Sequence, residues 1–217
     1  MLNVGAWVKR AFRGRGRFDP SIGMRRIPAA TVRQFTKRDL DACRKLYELN
    51  EPGRFPVGFL QTFTESLESP QYLYLVAESE GEIAAVGGIY RMPELASGSS
   101  LAFGMVDPNL HRQGFGTTLL LARIAALKKP AGVWWVHLSS AGGSSTFFER
   151  FGFQFYGRQA LSDSRAFDCY RCHVQVSDWS SCARILQKRN VNFDLEGIEV
   201  PIGPVASDNS PQVTSDR

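Results

Sequence analysis

The stretch "DPNLHRQGFGTTLLLARIAALKKP", residues 107–130, decides how the chain is read, because small and polar residues run straight into an apolar segment. A strand, a glycine turn and a helix N-terminus form a general anion-binding device, since free N–H groups and the helix dipole face the ligand. Gly114 and Gly116 allow close approach of backbone to ligand, Thr117 or Thr118 add hydroxyl donors, and Arg112 adds a charge. The same glycines also suit a tight strand-to-helix connection that binds nothing. Two nucleotide patterns fail on residue identity: no Lys follows Gly116 as a Walker loop requires, and Leu119 stands where a dinucleotide fingerprint needs its third glycine.

Thr117 to Lys129 reads as a helix, with Leu120, Ile124 and Leu127 on one apolar stripe, lysines at its C-terminal end and Pro130 as its stop. "SSLAFGMV" (99–106) before it and "GVWWVHLSS" (132–140) after it read as strands, parallel if the helix is a right-handed crossover. Upstream, "ATVRQF" (30–35) is a strand, and Thr36 with Asp39 forms a capping-box start for a helix over Leu40, Cys43 and Tyr47. "FLQTFTESLESP" (59–70) is a second short helix. "YLYLVAESEGEIAAVGGIYRM" (72–92) is an antiparallel hairpin about a Gly-containing turn. Downstream come a short helix "STFFERFGF" (145–153) with Gly152 at C′, a strand through Tyr156, a last strand from Ala166 to Val176, and an extra helix over 177–189 capped by Ser177 or Asp178.

The chain has 217 residues, 43% of them apolar, which fits a single globular domain with appendages. Its net charge of +5 is unevenly placed. Residues 1–30 carry seven Lys or Arg against Asp19 alone, so the remainder is close to neutral. That arm reads as a hook for nucleic acid, an anionic membrane or an acidic partner, as a transit peptide, or as a frayed, solvated terminus. No stretch approaches about 18 uninterrupted apolar residues, so the expectation is a soluble, cytoplasmic protein with no membrane span. The domain is expected over 30–176, with a basic arm over 1–29, an accessory extension over 177–200 and a disordered tail over 201–217. Four cysteines without an export signal point to reduced thiols. "CYRCH" (169–173) matches a haem-attachment pattern, but strand alternation sends Cys169 and Cys172 to opposite faces, so neither haem nor metal is expected.

"VDPNLHRQGFGTTLL" resembles the acetyl-coenzyme A motif of the GNAT superfamily of N-acetyltransferases, Q/R-x-x-G-x-G/A, with its glycines on Gly114 and Gly116 and with His111 in the Q/R position. "SSTFFERFGF" resembles the family's later A-x-x-F-Y-x-x-x-G-F motif. The resemblance implies an α/β fold of the α+β type: a mixed, mostly antiparallel central sheet with a splayed parallel strand pair and helices on both faces. It implies acetyl-CoA as co-substrate. Gly104, Met105 and Val106 would hold pantetheine, and His111, Arg112, Gln113, Gly114, Phe115, Gly116, Thr117 and Thr118 the pyrophosphate, while Ser139 and Phe148 line the opposite wall. A backbone N–H near Met105 would face the thioester oxygen as a small oxyanion hole.

Direct acyl transfer needs a base for the ammonium and an acid for the thiolate. His137, Glu94, Glu78 and Glu82 are the candidate bases, although a lone His between "WWV" and "L" also suits a core position. Phe148 stands where many relatives carry a proton-donating tyrosine. Ser144, Ser145, Tyr156 or Tyr170 remain to supply that proton, with Tyr156 joined to His137 and Met105 as the catalytic set. Phe55, Phe59 and Phe63 can wall an acceptor cleft, and Arg54 and Arg91 can meet an acidic acceptor. The expected acceptor is a small-molecule or protein amine, for a monomer or homodimer with weak nucleic-acid contact through the arm. The competing readings are a non-catalytic coenzyme A sensor and a nucleic-acid or ribosome-associated protein.

Overall fold

The computed structural model describes residues 16–51, 55, 58–127, 134–140, 143–160, 166–193, 195–204 and 213–214. In chain order the elements are β1 (Ala30–Gln34), α1 (Leu40–Asn50), α2 (Leu60–Glu68), β2 (Leu73–Ser79), β3 (Glu82–Arg91), β4 (Gly98–Val106) and α3 (Phe115–Ala126). There follow β5 (Trp134–Ser140), α4 (Ser145–Arg150), β6 (Gln154–Ala160), β7 (Ala166–Val174), α5 (Val176–Lys188), β8 (Val191–Phe193) and β9 (Val213–Thr214). Among the described residues they form one sheet in the order β8-β1-β2-β3-β4-β5-β7-β6-β9. Pairing is antiparallel except for β1 with β8 and β4 with β5. This is the expected mixed sheet with one parallel pair at its centre.

Local chemistry explains most of the boundaries. Glu80 and Gly81 both take left-handed φ values, +55° and +85°, which closes the β2–β3 hairpin in two residues. The capping box is formed: the Thr36 N–H and hydroxyl both donate to Asp39 Oδ2, at 2.8 and 2.9 Å, ahead of a 3₁₀ turn that leads into α1. Arg33 on β1 grips the same carboxylate through both terminal nitrogens, at 2.7 and 2.9 Å, and also reaches Glu78 on β2. One arginine thus ties two strands to the start of a helix.

Helix α3 departs from the single stripe. It begins at Phe115 and is buried at every position from Thr117 to Ala126. The reason is two-sided packing: the sheet covers one flank, and α5 covers the other with Trp179, Cys182, Ile185 and Leu186. The cap of α5 is Gln175, whose N–H donates to Asp178 Oδ2 at 2.8 Å, rather than Ser177 or Asp178. Strand β8 then pairs with β1, and the chain closes on β3 as Arg91 N–H donates to Pro201 O and Gly203 N–H to Arg91 O.

The N-terminal side is seated as well. Phe18, 2% exposed, stacks on Phe151 and meets the edge of Phe153, while backbone bonds join Phe18 N–H to His173 O and His173 N–H to Gly16 O. The packed body therefore reaches beyond 30–176 on both sides. Residues 1–15 of the expected arm and most of the expected tail lie outside the described residues. Cys172 is fully buried on the face shared with α3, and Cys169 approaches Ser139 on the other face.

Burial pushes the Asp39 carboxyl up, but the Arg33 and Thr36 hydrogen bonds outweigh it and hold Asp39 at about 2, below the ordinary 3.8. A depressed acid contributes stability that is full above its unfolded pKa and is lost as pH falls through the folded one. Asp39→Asn should cost about 2–3 kcal/mol near neutral pH. In urea titrations the gap from wild type should narrow between pH 4 and pH 2, and a pH-independent gap would refute this account.

Candidate functional site

The site is a gap between β4 and β5. The two strands pair in parallel from Gly98↔Trp135 to Leu101↔Leu138 and then part. Their separation follows from a bulge in β4: Val86 pairs with Met105 but Gly88 with Ala102, so Phe103 and Gly104 together oppose Gly87. Phe103 takes a φ of +39° to make this turn. Such an extra residue bends its strand and breaks the ladder. The opened space is a cavity of about 760 Å³, whose walls include Gly104, Met105 and Val106 from β4 and Leu138, Ser139 and Ser140 from β5.

At one end the cavity meets the start of α3. Arg112 (φ +63°) and Gly114 (φ +106°) turn the chain so that the first helical N–H groups face the opening. The two glycines do different work. A side chain on Gly114 would overlap the Arg26 carbonyl oxygen, because residues 22–28 lie across the turn as a strap, whereas a Cβ on Gly116 would meet nothing closer than 3.6 Å. Gly114 thus makes room for the chain's own backbone, and Gly116 alone leaves the approach open to a ligand. Gly23 packs on Thr117, and Ile22, Gly23 and Arg26 line the cavity. His111 folds its Nε2 to within 3.1 Å of Val106 O.

Four arginines, Arg26, Arg112, Arg123 and Arg150, line the cavity, and among the described residues no Asp or Glu does. Arg26 and Arg112 flank the glycine turn. Arg150 lies 5.6 Å over the Phe147 ring, which itself packs near Gly116. Arg123 is 3% exposed, and burial pulls its pKa down to about 10, which leaves it charged near neutrality. Asn50, from the end of α1, donates to Leu46 O and to Val106 O and so fixes the rim of β4.

Of the residues expected from the sequence, Gly104, Met105, Val106, His111, Arg112, Gly114, Gly116, Thr117, Ser139 and Phe148 are brought together in this cavity. Phe115 and Thr118 are buried, 3% and 0% exposed, and the Thr118 hydroxyl is spent on Gly114 O. Gln113 is exposed and bonds Asn109 O. Phe148 lies against Phe147 and Phe153, and Ser144 and Ser140, whose hydroxyls are 2.7 Å apart, line the same cavity.

His137 and Tyr156 do meet, at 3.3 Å, but neither lines the cavity. His137 sits on the face of β5 that also carries Ser139, about 7 Å along the strand. Burial, with Arg171 beside it, pulls His137 down to about 4, while its buried Nε2 has no hydrogen-bond partner among the described residues. Burial pushes Tyr156 up to about 12. Glu78 is bound to Arg33, and Glu82 and Glu94 are exposed at the ends of β3. Phe55 stacks with Phe103 and lines the cavity, Phe59 meets the edge of Phe167, and Phe63 is core. Arg54 lies outside the described residues. Arg26, Arg123 and Arg150 were missed in the sequence. Only Arg123 had a signal there, as the lone charge inside "TTLLLARIAAL".

The acetyltransferase (GNAT) domain family matches residues 45–167, more than half of the chain. The chain therefore belongs to the GNAT acetyltransferase family, whose members are acyltransferase enzymes. No curated protein matches it in sequence. Among solved structures it is similar to the ribosomal-protein-S18-alanine N-acetyltransferase of Escherichia coli, at 22% identity and a TM-score of 0.52, over 68% of this chain and 94% of that one. An aminoglycoside 6′-N-acetyltransferase complexed with coenzyme A matches at 13% identity and a TM-score of 0.53, over 65% and 96% of the two chains. The Salmonella typhimurium protein yncA, solved with its cofactor acetyl-CoA, matches at 15% and 0.52, over 68% and 94%. These likenesses establish the fold. No helix among the described residues is long and apolar enough to cross a membrane, and no cluster of three potential metal ligands occurs among them.

The two glycines should separate in a thermal melt. Gly114→Ala must displace the strap or strain a left-handed residue and should cost about 2 kcal/mol or more, while Gly116→Ala should stay within about 1 kcal/mol of wild type. Equal stability of both variants would show that the strap does not rest on the turn.

Proposed function

We propose that the protein is an acyl-coenzyme A dependent N-acyltransferase that moves the acyl group directly onto an amine, in the simplest case from acetyl-CoA. The observation that carries this is the cavity itself, a slot between splayed strands, free of acids along its described walls, rimmed by arginines and opening at a helix N-terminus. A ligand with phosphates at one end and a long neutral arm fits that charge distribution. The pyrophosphate would sit on the first turn of α3 beside Arg112, Gly116 and Thr117. The 3′-phosphate would fall to Arg26 and Arg150, and pantetheine would run along the Gly104–Val106 backbone opposite Ser139.

In the reaction a neutral amine nitrogen attacks the thioester carbonyl, a backbone N–H of β4 next to Met105 holds the oxygen as it gains charge, and the C–S bond breaks to give the amide and a thiolate. The Ser144 and Ser140 hydroxyl pair would return a proton to sulfur where Phe148 offers none. His137, neutral above its pKa of about 4, with Tyr156 on its Nδ1, would be the acid–base pair for the amine. At about 7 Å it would take the ammonium proton through Ser139 or a water. The acceptor would enter beside Phe55 and Phe103. Relatives of this fold named for an aminoglycoside and for a ribosomal-protein alanine support small-molecule and protein amines alike as acceptor classes.

Calorimetric titration tests the donor site. Acetyl-CoA should bind wild type, and Arg26→Glu should weaken it about 10-fold, roughly 1.4 kcal/mol. Dephospho-coenzyme A should bind both proteins alike, since the phosphate that Arg26 reads is gone. No binding of acetyl-CoA to the folded wild type would overturn the proposal. Binding without turnover of any amine would leave a sensor in place of an enzyme.

A further inference from the structure

The inner arginine is not explained by coenzyme A. Arg123 lies nine residues beyond Gly114, about 13 Å along α3, and its terminal nitrogens sit against Gly87 and Gly104, in the stretch given to pantetheine rather than at the glycine turn given to the phosphates. Its side chain crosses from α3 to the sheet and lines the cavity beside Leu101, Leu119 and Gly104. Two strand glycines make room for it: a Cβ on Gly87 or on Gly104 would come within 3.0 Å of its terminal nitrogens. Its partners are two backbone carbonyls at long range, Leu119 O from Nε at 3.4 Å and Gly88 O from Nη1 at 3.3 Å. Nη2 has no hydrogen-bond partner among the described residues. The buried carboxylates of the described chain are engaged elsewhere, Asp39 with Arg33 and Asp178 with the Gln175 N–H.

A buried guanidinium with two long carbonyl bonds and no anionic partner is costly to keep, and an apolar residue of the same size would fill the space without that cost. The cost is recovered when a ligand brings the missing anion to that depth. Pantetheine carries none, which leaves the acyl end of the donor. The oxygen of an acetyl thioester gains charge only in passing, whereas a carboxylate on the acyl chain is a permanent partner that Arg123 can bind through two parallel N–H groups.

We propose that the preferred donor is an acyl-coenzyme A whose acyl chain ends in a carboxylate, of the malonyl or succinyl class, and that Arg123 is the residue that reads it. This rests on the coenzyme A reading of the cavity. The transfer is otherwise unchanged: the amine nitrogen bonds to the thioester carbon, the C–S bond breaks, and the distal carboxylate stays on Arg123 throughout.

The test uses the full chain and four donors, acetyl-, butyryl-, malonyl- and succinyl-CoA, measured by calorimetry so that no acceptor need be known. Wild type should bind malonyl- or succinyl-CoA at least 10-fold more tightly than acetyl- or butyryl-CoA. Arg123→Met should collapse that preference to less than about threefold, whatever it does to acetyl-CoA affinity itself, and Arg123→Lys should keep part of it. Butyryl-CoA controls for chain length without charge. Wild type that binds acetyl-CoA as tightly as the carboxyacyl donors overturns this inference and leaves the coenzyme A site standing, and that comparison needs no variant to fold. Arg123→Met that weakens all four donors equally assigns the residue to the fold of the bulge and also overturns it. Failure of every donor to bind overturns the coenzyme A reading itself.

Discussion

The bulge at Phe103 and Gly104 is the constraint on which the rest of the molecule depends. Two parallel strands in register bond along their length and leave no space between them, so an entrance to the centre of a sheet needs a local fault in the ladder. Here the fault is one extra residue in β4, and it is held from three sides. Gly87 yields space on the neighbouring strand, Phe103 lodges between Phe55 and Phe63 on the α1–α2 face, and Arg123 occupies the volume vacated on the α3 face. Asn50 then pins the end of the deflected strand through Val106 O. The cavity is therefore a product of sheet geometry rather than of a loop.

Opening the sheet places a demand on α3. Its first turn must present bare N–H groups to the cavity, while its body must lie flat on the strands that the cavity divides. A helix so placed has one flank against the sheet and would expose the other, yet its sequence is apolar all round. Helix α5 and the segment from Phe18 to Ile27 supply the missing cover. This is why the chain continues past β7 and returns through β8 beside β1, and why an N-terminal segment rich in arginine is anchored by Phe18 against Phe151 and Phe153. That anchoring sets Arg26 beside the glycine turn, so a residue far away in sequence becomes part of the same electrostatic surface.

How much of this was legible in the sequence follows from the range of each interaction. The capping box at Thr36 and Asp39, the Glu80–Gly81 hairpin, the Gly152 C′ position and the β4–α3–β5 crossover are all set within a few residues or by a single crossover rule, and each could be read directly. The strap over Gly114 could not, because a glycine required for φ of +106° looks the same in sequence as one required by a ligand. Nor could the bulge, whose Phe103 carries no turn signature and is held by residues from β3, α1 and α3. His137 was placed on its strand, but a period-2 pattern says neither which tyrosine it meets nor how far the cavity runs along a strand face. The single stripe assigned to α3 failed because the pattern was matched to one apolar face, although the whole run from Leu119 to Leu127 is apolar apart from Arg123.

Arg123 shows how far such a conflict between local and global patterns can be used. In an otherwise apolar helix, a charge breaks the agreement between sequence and environment that usually specifies a core, and such breaks concentrate where a protein gives up stability for another purpose. The surroundings have been arranged to keep the charge in place: glycines at 87 and 104 rather than larger residues, carbonyls of Leu119 and Gly88 at the limit of bonding distance, and a cavity wall in front of it. Simple packing would be served as well by leucine or methionine, without desolvating a guanidinium. The outer arginines share solvent with whatever they bind and so discriminate weakly. An arginine 3% exposed, by contrast, interacts with an arriving anion in a medium of low dielectric, where the presence or absence of one carboxylate weighs most heavily on which donor is held.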